Sequence, residues 1–463
     1  MAKTETSRRD DKHHLSRRAL IKWSAAAGAA LGVSRSKIFE ILERTAGKGV
    51  AFAASEAPTM RSVHFIAGNG GLAFTQAFWP HVDIAKAGNA NFAWKFPGQT
   101  IDVTGIKNQL ALGMDTPWQS LAPTKQVTCF VMGNNETHTT KPQSTVGLNG
   151  NSIFAVASAL QAASPSTIPM IAVGGAVEGT APGAAVAAAV GNADGMVSLF
   201  GSAASRNPGG LLANPTDAAL YKAHYDAFVQ LNRAANRATT KTAYLTAGGA
   251  AKFLGQNLAD KLAVTTADMT RYGVTTGTRA ELLNVAKTLI VTAKAFKAGI
   301  TNSVILPFLQ SDPHGFWDGG DFNTYPQQIK AVLDGFMGDL STYTDDATGQ
   351  SLADDTLMSF SGDTYKSPVQ RGGWPDGTPM NSNLCIMYSA GHLLPGWFGS
   401  VDRNSKVMGV DATGAPVAYN GASMAKFGLA SMAYAIAKRD DRAIQNFTGG
   451  VTVGGVFGNL KDK

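Results

Sequence analysis

Short β-rich runs, each closing on a glycine- or asparagine-bearing loop and separated by helical stretches, recur along this chain from residue 61 to residue 388. That alternation constrains the fold more than any other feature, because strands joined through helices lie parallel in one sheet with helices on its faces. The expected class is therefore α/β, a mostly parallel sheet sandwiched between helices. The strand-like runs are Arg61 to Ala67, Gln126 to Met132, Thr167 to Val173, Ser303 to Leu309, Thr356 to Phe360 and Leu384 to Tyr388. Helical patterns cover Ser152 to Ala162, Arg279 to Ala298, Tyr325 to Leu340 and Ala422 to Lys438, and Gly299 closes the second of them. Residues 58–463 read as a single α/β domain with enough chain to bury a sizeable core. Within it, 174–262 reads as an inserted cap or surface layer: it opens Ala/Gly-rich and turns helical from 215, where Asp217 is an early acidic cap.

Residues 1–53 read differently. Ser16-Arg17-Arg18-Ala19-Leu20-Ile21-Lys22, followed by the mild apolar stretch Trp23 to Val33, is the pattern of a twin-arginine signal. The apolar stretch is too short and too rich in Ala and Gly for a membrane span, which needs about 20 residues. It is expected to be a removable address read by the twin-arginine export machinery and not a stable membrane anchor, with Ala51-Phe52-Ala53 as a small-x-small cleavage site. The protein is accordingly expected in the periplasm or outside the cell. Residues 1–53 also carry 11 of the 40 Lys and Arg and 5 of the 33 Asp and Glu, leaving 29 against 28, a balance of +1. The formal +7 of the whole chain thus resides largely in the signal, and no nucleic-acid partner is expected of the rest. Both cysteines, Cys129 and Cys385, fall inside apolar runs and read as buried thiols, although a disulfide is chemically allowed in an oxidising compartment.

In an open parallel sheet, ligands sit beyond the carboxyl ends of the strands. The run 303 to 309 leads to Asp312, Pro313 and His314, with Trp317 and Asp318 soon after; 356 to 360 leads to Asp363; 61 to 67 leads to Asn69; and 126 to 132 leads to Glu136 and His138. Four strand ends would pool these groups on one rim. Asp312, His314, Asp363 and His138 are candidate ligands of one divalent metal ion, and Asn69, Glu136, Asp318 and Trp317 are candidate ligand-binding residues. General acid–base work suits the same groups, and so does plain turn and cap chemistry. Gly68-Asn69-Gly70-Gly71 lacks the spacing of a dinucleotide loop, no Gly-x-Ser-x-Gly elbow occurs, and His392 reads as a turn histidine. Nothing in the sequence decides between core and surface for His64 and His81. Trp317, Trp374 and Trp397 lie in Gly-rich loops, where they could stack on sugars or pack on the edge of the core.

A twin-arginine signal, a strand into Gly-Gly, Asp-x-His after a strand, then a long helix and a strand into Gly-Asp-Thr together resemble the exported family called domain of unknown function 1501, which is similar to the alkaline phosphatase and sulfatase superfamily. The resemblance covers most of the mature chain and is strongest over 300–402. It implies an alkaline-phosphatase-like sheet with metal ions held by Asp and His at the strand ends. Asp312 and His314 would match the family's Asp-Thr-His position and Gly362-Asp363-Thr364 its Gly-Arg-Thr-Pro turn. The chain departs from the pattern where Gln76 and Trp79 stand in place of acidic residues, where Asp376-Gly377 stands for an Asp-His pair, and in having no histidine between His314 and His392. A two-metal centre stabilises both oxygens of an in-line displacement, and losing several ligands removes most of that effect. The expectation is therefore a non-catalytic or vestigial member that binds a ligand or a cell-surface or protein partner. The alternative is a metal-assisted phosphate or sulfate ester hydrolase with a reduced metal site.

Overall fold

The computed structural model describes residues 59–87, 99–102, 108–162, 164, 166–203, 258–314, 321–345, 349–370 and 376–451. The expected signal, the 204–257 part of the expected cap, and Trp317, Asp318 and Trp374 lie outside the described residues.

Eight strands build the central sheet: β1 (Arg61–Ala67), β2 (Thr128–Asn134), β3 (Ile168–Val173), β4 (Ala188–Val190), β5 (Thr301–Pro307), β6 (Thr356–Gly362), β7 (Ser382–Tyr388) and β8 (Gly396–Phe398). Their order is β8-β2-β7-β6-β1-β5-β3-β4. Every neighbouring pair is parallel except those made by β7, which runs against both β6 and β2. The α/β class read from the sequence is the class observed. β4 comes from the Ala/Gly-rich stretch and extends the sheet at its edge, so this part of the expected surface layer belongs to the sheet.

Four helices matter for the packing: α1 (Ile153–Gln161), α2 (Ala280–Lys297), α3 (Asp321–Thr342) and α4 (Gly421–Ile436). α1 starts where the Ser152 side chain accepts from Phe154 N, and α2 stops where Gly299 turns left-handed at φ 69°. Side chains alternate along β1, so Val63 and Phe65 join one apolar layer with Leu289 and Phe296 of α2 and Leu333 and Phe336 of α3. Ile66 joins the opposite layer, with Phe154 of α1 and Leu429 and Met432 of α4. Both faces are thus covered, as parallel strands require. Phe65 lies flat on Phe360 at 4.5 Å and edge-on to Phe308, the residue after β5, at 5.2 Å, which couples β1 and β6 to the end of β5 through one aromatic cluster.

Cys129 and Cys385 sit on the adjacent strands β2 and β7 but belong to opposite apolar layers, and both are free and buried. Burial pushes both thiols up. At the edge of the sheet where β1 and β6 begin, Arg61 pairs with Asp345 and, at 2.7 Å, with Asp355, which also takes Lys438 at 2.5 Å.

Candidate functional site

The topology decides which loops can meet. β1, β5, β6 and β2 run in one direction, so the loops that follow them emerge at one rim. β7 runs the other way and follows β6 directly, so the residues that link the two strands, Lys366 and Asp376 among them, lie at that rim. Four loops therefore converge there.

Short hydrogen bonds hold the loops against one another. Gly68 N donates to Leu309 O at 3.0 Å, Asn69 Nδ2 to Gln310 O at 3.1 Å, and Gln310 Nε2 to Ile66 O at 2.8 Å. Glu281, in the first turn of α2, accepts from Gln310 N at 3.0 Å and Ser311 Oγ at 2.6 Å and from the Tyr325 hydroxyl, and so pins the residues just before Asp312. The register of β2 on β7 slips by one residue between Ser382 and Leu384, with Gly133 on the longer side at φ 79°. Beside that bulge the buried Asn383 Nδ2 donates to the carbonyls of Asn134, Gly362 and Asp363 at 3.1, 3.1 and 2.9 Å. Asn69, Gly70, His138 and Lys366 all have φ between 52° and 84°. Left-handed backbone at non-glycine residues is uncommon and gathers where surrounding contacts over-determine it. At Gly70 only glycine fits: a Cβ would lie 2.5 Å from Lys366 Cε and 2.9 Å from Pro313 Cδ.

At the centre are two carboxylate–imidazole pairs and one ammonium. His314 Nδ1 lies 2.6 Å from Asp312 Oδ1, and His138 Nε2 lies 3.0 Å from Asp376 Oδ2. The cross distances, His314 Nε2 to Asp376 Oδ1 at 3.5 Å and His138 Nδ1 to Asp312 Oδ2 at 3.9 Å, close the four groups into a ring. The two imidazoles face each other at 6.2 Å with their planes 23° apart. Lys366 enters from the protein side. Its side chain is completely buried, its Nζ is ion-paired with Asp376, and it lies 3.6 Å from Asp312 Oδ1. Burial lowers the pKa of Lys366, and Asp312 works against that shift. Burial works to raise the pKa of Asp312, but the hydrogen bonds from His314 and the nearby Lys366 outweigh it and hold the carboxyl below its usual range.

Of the residues expected from the sequence, Asp312, His314 and His138 are brought together. Asp363 stands behind them, fully buried, with both oxygens accepting from Gly70 N at 3.0 and 3.1 Å and one from Thr364 N at 2.7 Å. Burial raises its pKa against those bonds. Glu136 braces its own loop, accepting from Gln143 N at 2.8 Å, Ser144 N at 3.0 Å and Ser144 Oγ at 3.1 Å. Asn69 is a loop tie, as described. Trp397 lies not in a loop but in β8, 8% exposed, with its ring 4.0 Å from His81 and its Nε1 donating to Pro80 O. His64 and His81 are both interior. Sequence reasoning missed Lys366 and met Asp376 only at the family's Asp-His position, not as a site candidate. Both lie on the loop that follows β6, the strand end that supplies Asp363, and that loop was the signal for them.

The donor set does not fit a metal ion as arranged. A cation, the Lys366 ammonium, already serves both carboxylates; Asp363 is occupied by backbone amides; and His314 Nδ1 is hydrogen-bonded within the set. Among the described residues no group of three or more His, Cys, Asp or Glu side chains is disposed to hold a metal. No described helix is long and apolar enough to cross a membrane. The chain matches no protein-family model, no curated protein and no solved structure.

Proposed function

We propose that the chain is an exported protein, similar in fold to the alkaline phosphatase and sulfatase superfamily and to the domain of unknown function 1501 family. On this reading it binds a ligand or partner outside the cytoplasm at this rim and does not hydrolyse it. One observation carries the reading: each imidazole is oriented by its own carboxylate, with side chains 39% exposed at His314 and 45% at His138, yet among the described residues neither engages a hydroxyl that could serve as a nucleophile. Thr364, in the turn that the family resemblance singles out, spends its hydroxyl on Asp376 O and on Lys366 N. Oriented imidazoles without a partner nucleophile are suited to hydrogen-bond a ligand more than to activate an attacking group. The test is turnover of para-nitrophenyl phosphate and sulfate by the full chain with and without Zn²⁺, Mn²⁺ or Ca²⁺. The expected rate equals that of the Asp312→Asn variant under every condition, and turnover that the substitution abolishes would overturn the reading.

A further inference from the structure

The rim combines two carboxylates, two imidazoles and one buried ammonium, and the ammonium is the unusual member. A fully buried lysine side chain costs free energy through desolvation unless its charge is met by close counter-ions. Here both counter-ions are Asp312 and Asp376, the same carboxylates that orient His314 and His138. The ammonium reaches them from the interior, through a backbone at φ 60° and past Gly70, where no side chain larger than hydrogen leaves it room. The oxygens and nitrogens of these four acidic and imidazole groups are the donors that a borderline divalent ion would otherwise draw together.

We propose that Lys366 is a tethered counter-cation: its ammonium serves Asp312 and Asp376 in place of a divalent metal, so that the rim stays metal-free, and removing the ammonium turns the same four side chains into a metal site. This deepens the binding reading above and rests on the same rim, but it fails on metal affinity, whereas that reading fails on turnover. With Lys366 present, a second cation at the carboxylates meets direct repulsion at a few ångströms and finds Asp376 already ion-paired. Without it, two carboxylates are left uncompensated beside two oriented imidazoles, an arrangement that recruits a divalent ion.

The experiment is a Zn²⁺ titration of the full chain, followed by calorimetry and by the ring signals of isotope-labelled histidine. Wild type and Lys366→Arg are expected to show no saturable site involving the His138 and His314 rings up to millimolar Zn²⁺. Lys366→Ala and Lys366→Gln are expected to bind one equivalent at least tenfold more tightly than wild type, with both rings perturbed and the gain lost on adding Asp376→Asn. The second variant keeps a hydrogen-bonding group near the carboxylates in case the alanine variant does not fold. Stoichiometric, ring-perturbing Zn²⁺ binding by wild type overturns the proposal whether or not either variant folds. A folded Lys366 variant, checked by circular dichroism, that gains no affinity overturns it as well.

Discussion

His64 and His81 show what this interior does to a titratable group. Each is fully buried, and burial lowers its pKa to about 3 from an ordinary value near 6.5. His64 keeps one bond, Nδ1 to Ser359 Oγ at 2.8 Å, while His81 has none at either nitrogen among the described residues and packs instead against Trp397 with the rings tilted by 34°. Both are neutral in the folded protein, whereas in the unfolded chain they take up protons as pH falls through 6.5. The unfolded state then binds more protons, so their contribution to stability is complete above pH 6.5 and declines as pH falls from there toward 3. Each histidine contributes a slope of up to about 1.4 kcal/mol per pH unit in that window. Urea unfolding of the full chain at pH 7.5, 6 and 5 should show a falling midpoint, and His81→Phe should make the fall shallower. An unchanged pH dependence in that variant would show that His81 titrates in the fold as it does in the unfolded chain. His138 and His314, half-exposed at the rim and paired with carboxylates, stand in a different environment, which the sequence alone does not distinguish from that of His64 and His81.

Strands and helices were legible because their signals are local. β1 runs Arg61–Ala67, as the alternation predicts, and α2 falls within one residue at each end of the expected helix, because Arg279 and Ala298 are its caps. β2 and β5 are displaced by two residues, β2 toward Asn134 and β5 toward Thr301, since pairing with neighbours and not residue preference sets where a strand ends. The direction of β7 was not legible, because it depends on pairings with β6 and β2, which are remote in sequence. Lys366 and Asp376 lie on the long connection from β6 to β7, where no local pattern says which residues turn back to the rim, and so the centre of the rim escaped a strand-by-strand reading. The hinge of the reversal is Asn383. Replacing it with alanine strands the three carbonyls of Asn134, Gly362 and Asp363 and removes the tie among β2, β6 and β7. Asn383→Ala should cost about 2 kcal/mol in urea unfolding, with the His138 and His314 ring signals shifting together. A loss within 0.5 kcal/mol of zero, with both signals unmoved, would show that the bulge holds the loops without it.

The molecule as a whole joins a covered three-layer body to an amino-terminal segment of very different composition, and the two suggest one route. Cys129 and Cys385 are free, buried and on opposite apolar layers, so the observed packing rests on no disulfide and requires no oxidising compartment to form. Its stability rests instead on two apolar layers and on charge networks such as Arg61–Asp355–Lys438 at the opposite edge from the rim. A body of this kind can complete its fold in a reducing cytoplasm, and a twin-arginine exporter carries proteins that are already folded. Ser16-Arg17-Arg18 with the weakly apolar stretch behind it has the pattern of the address such an exporter reads, and we propose that it serves as one. Replacing both arginines, Arg17→Lys with Arg18→Lys, leaves charge and body unchanged and alters only the paired guanidinium groups, whose planar fork lysine does not reproduce. The variant should accumulate in the cytoplasm as folded protein with the melting temperature of the exported wild type, as read by cell fractionation and thermal unfolding of both pools. Export at the wild-type level would mean that the pair is not the address, and a cytoplasmic pool that is unfolded would mean that the body does not complete its fold before transport.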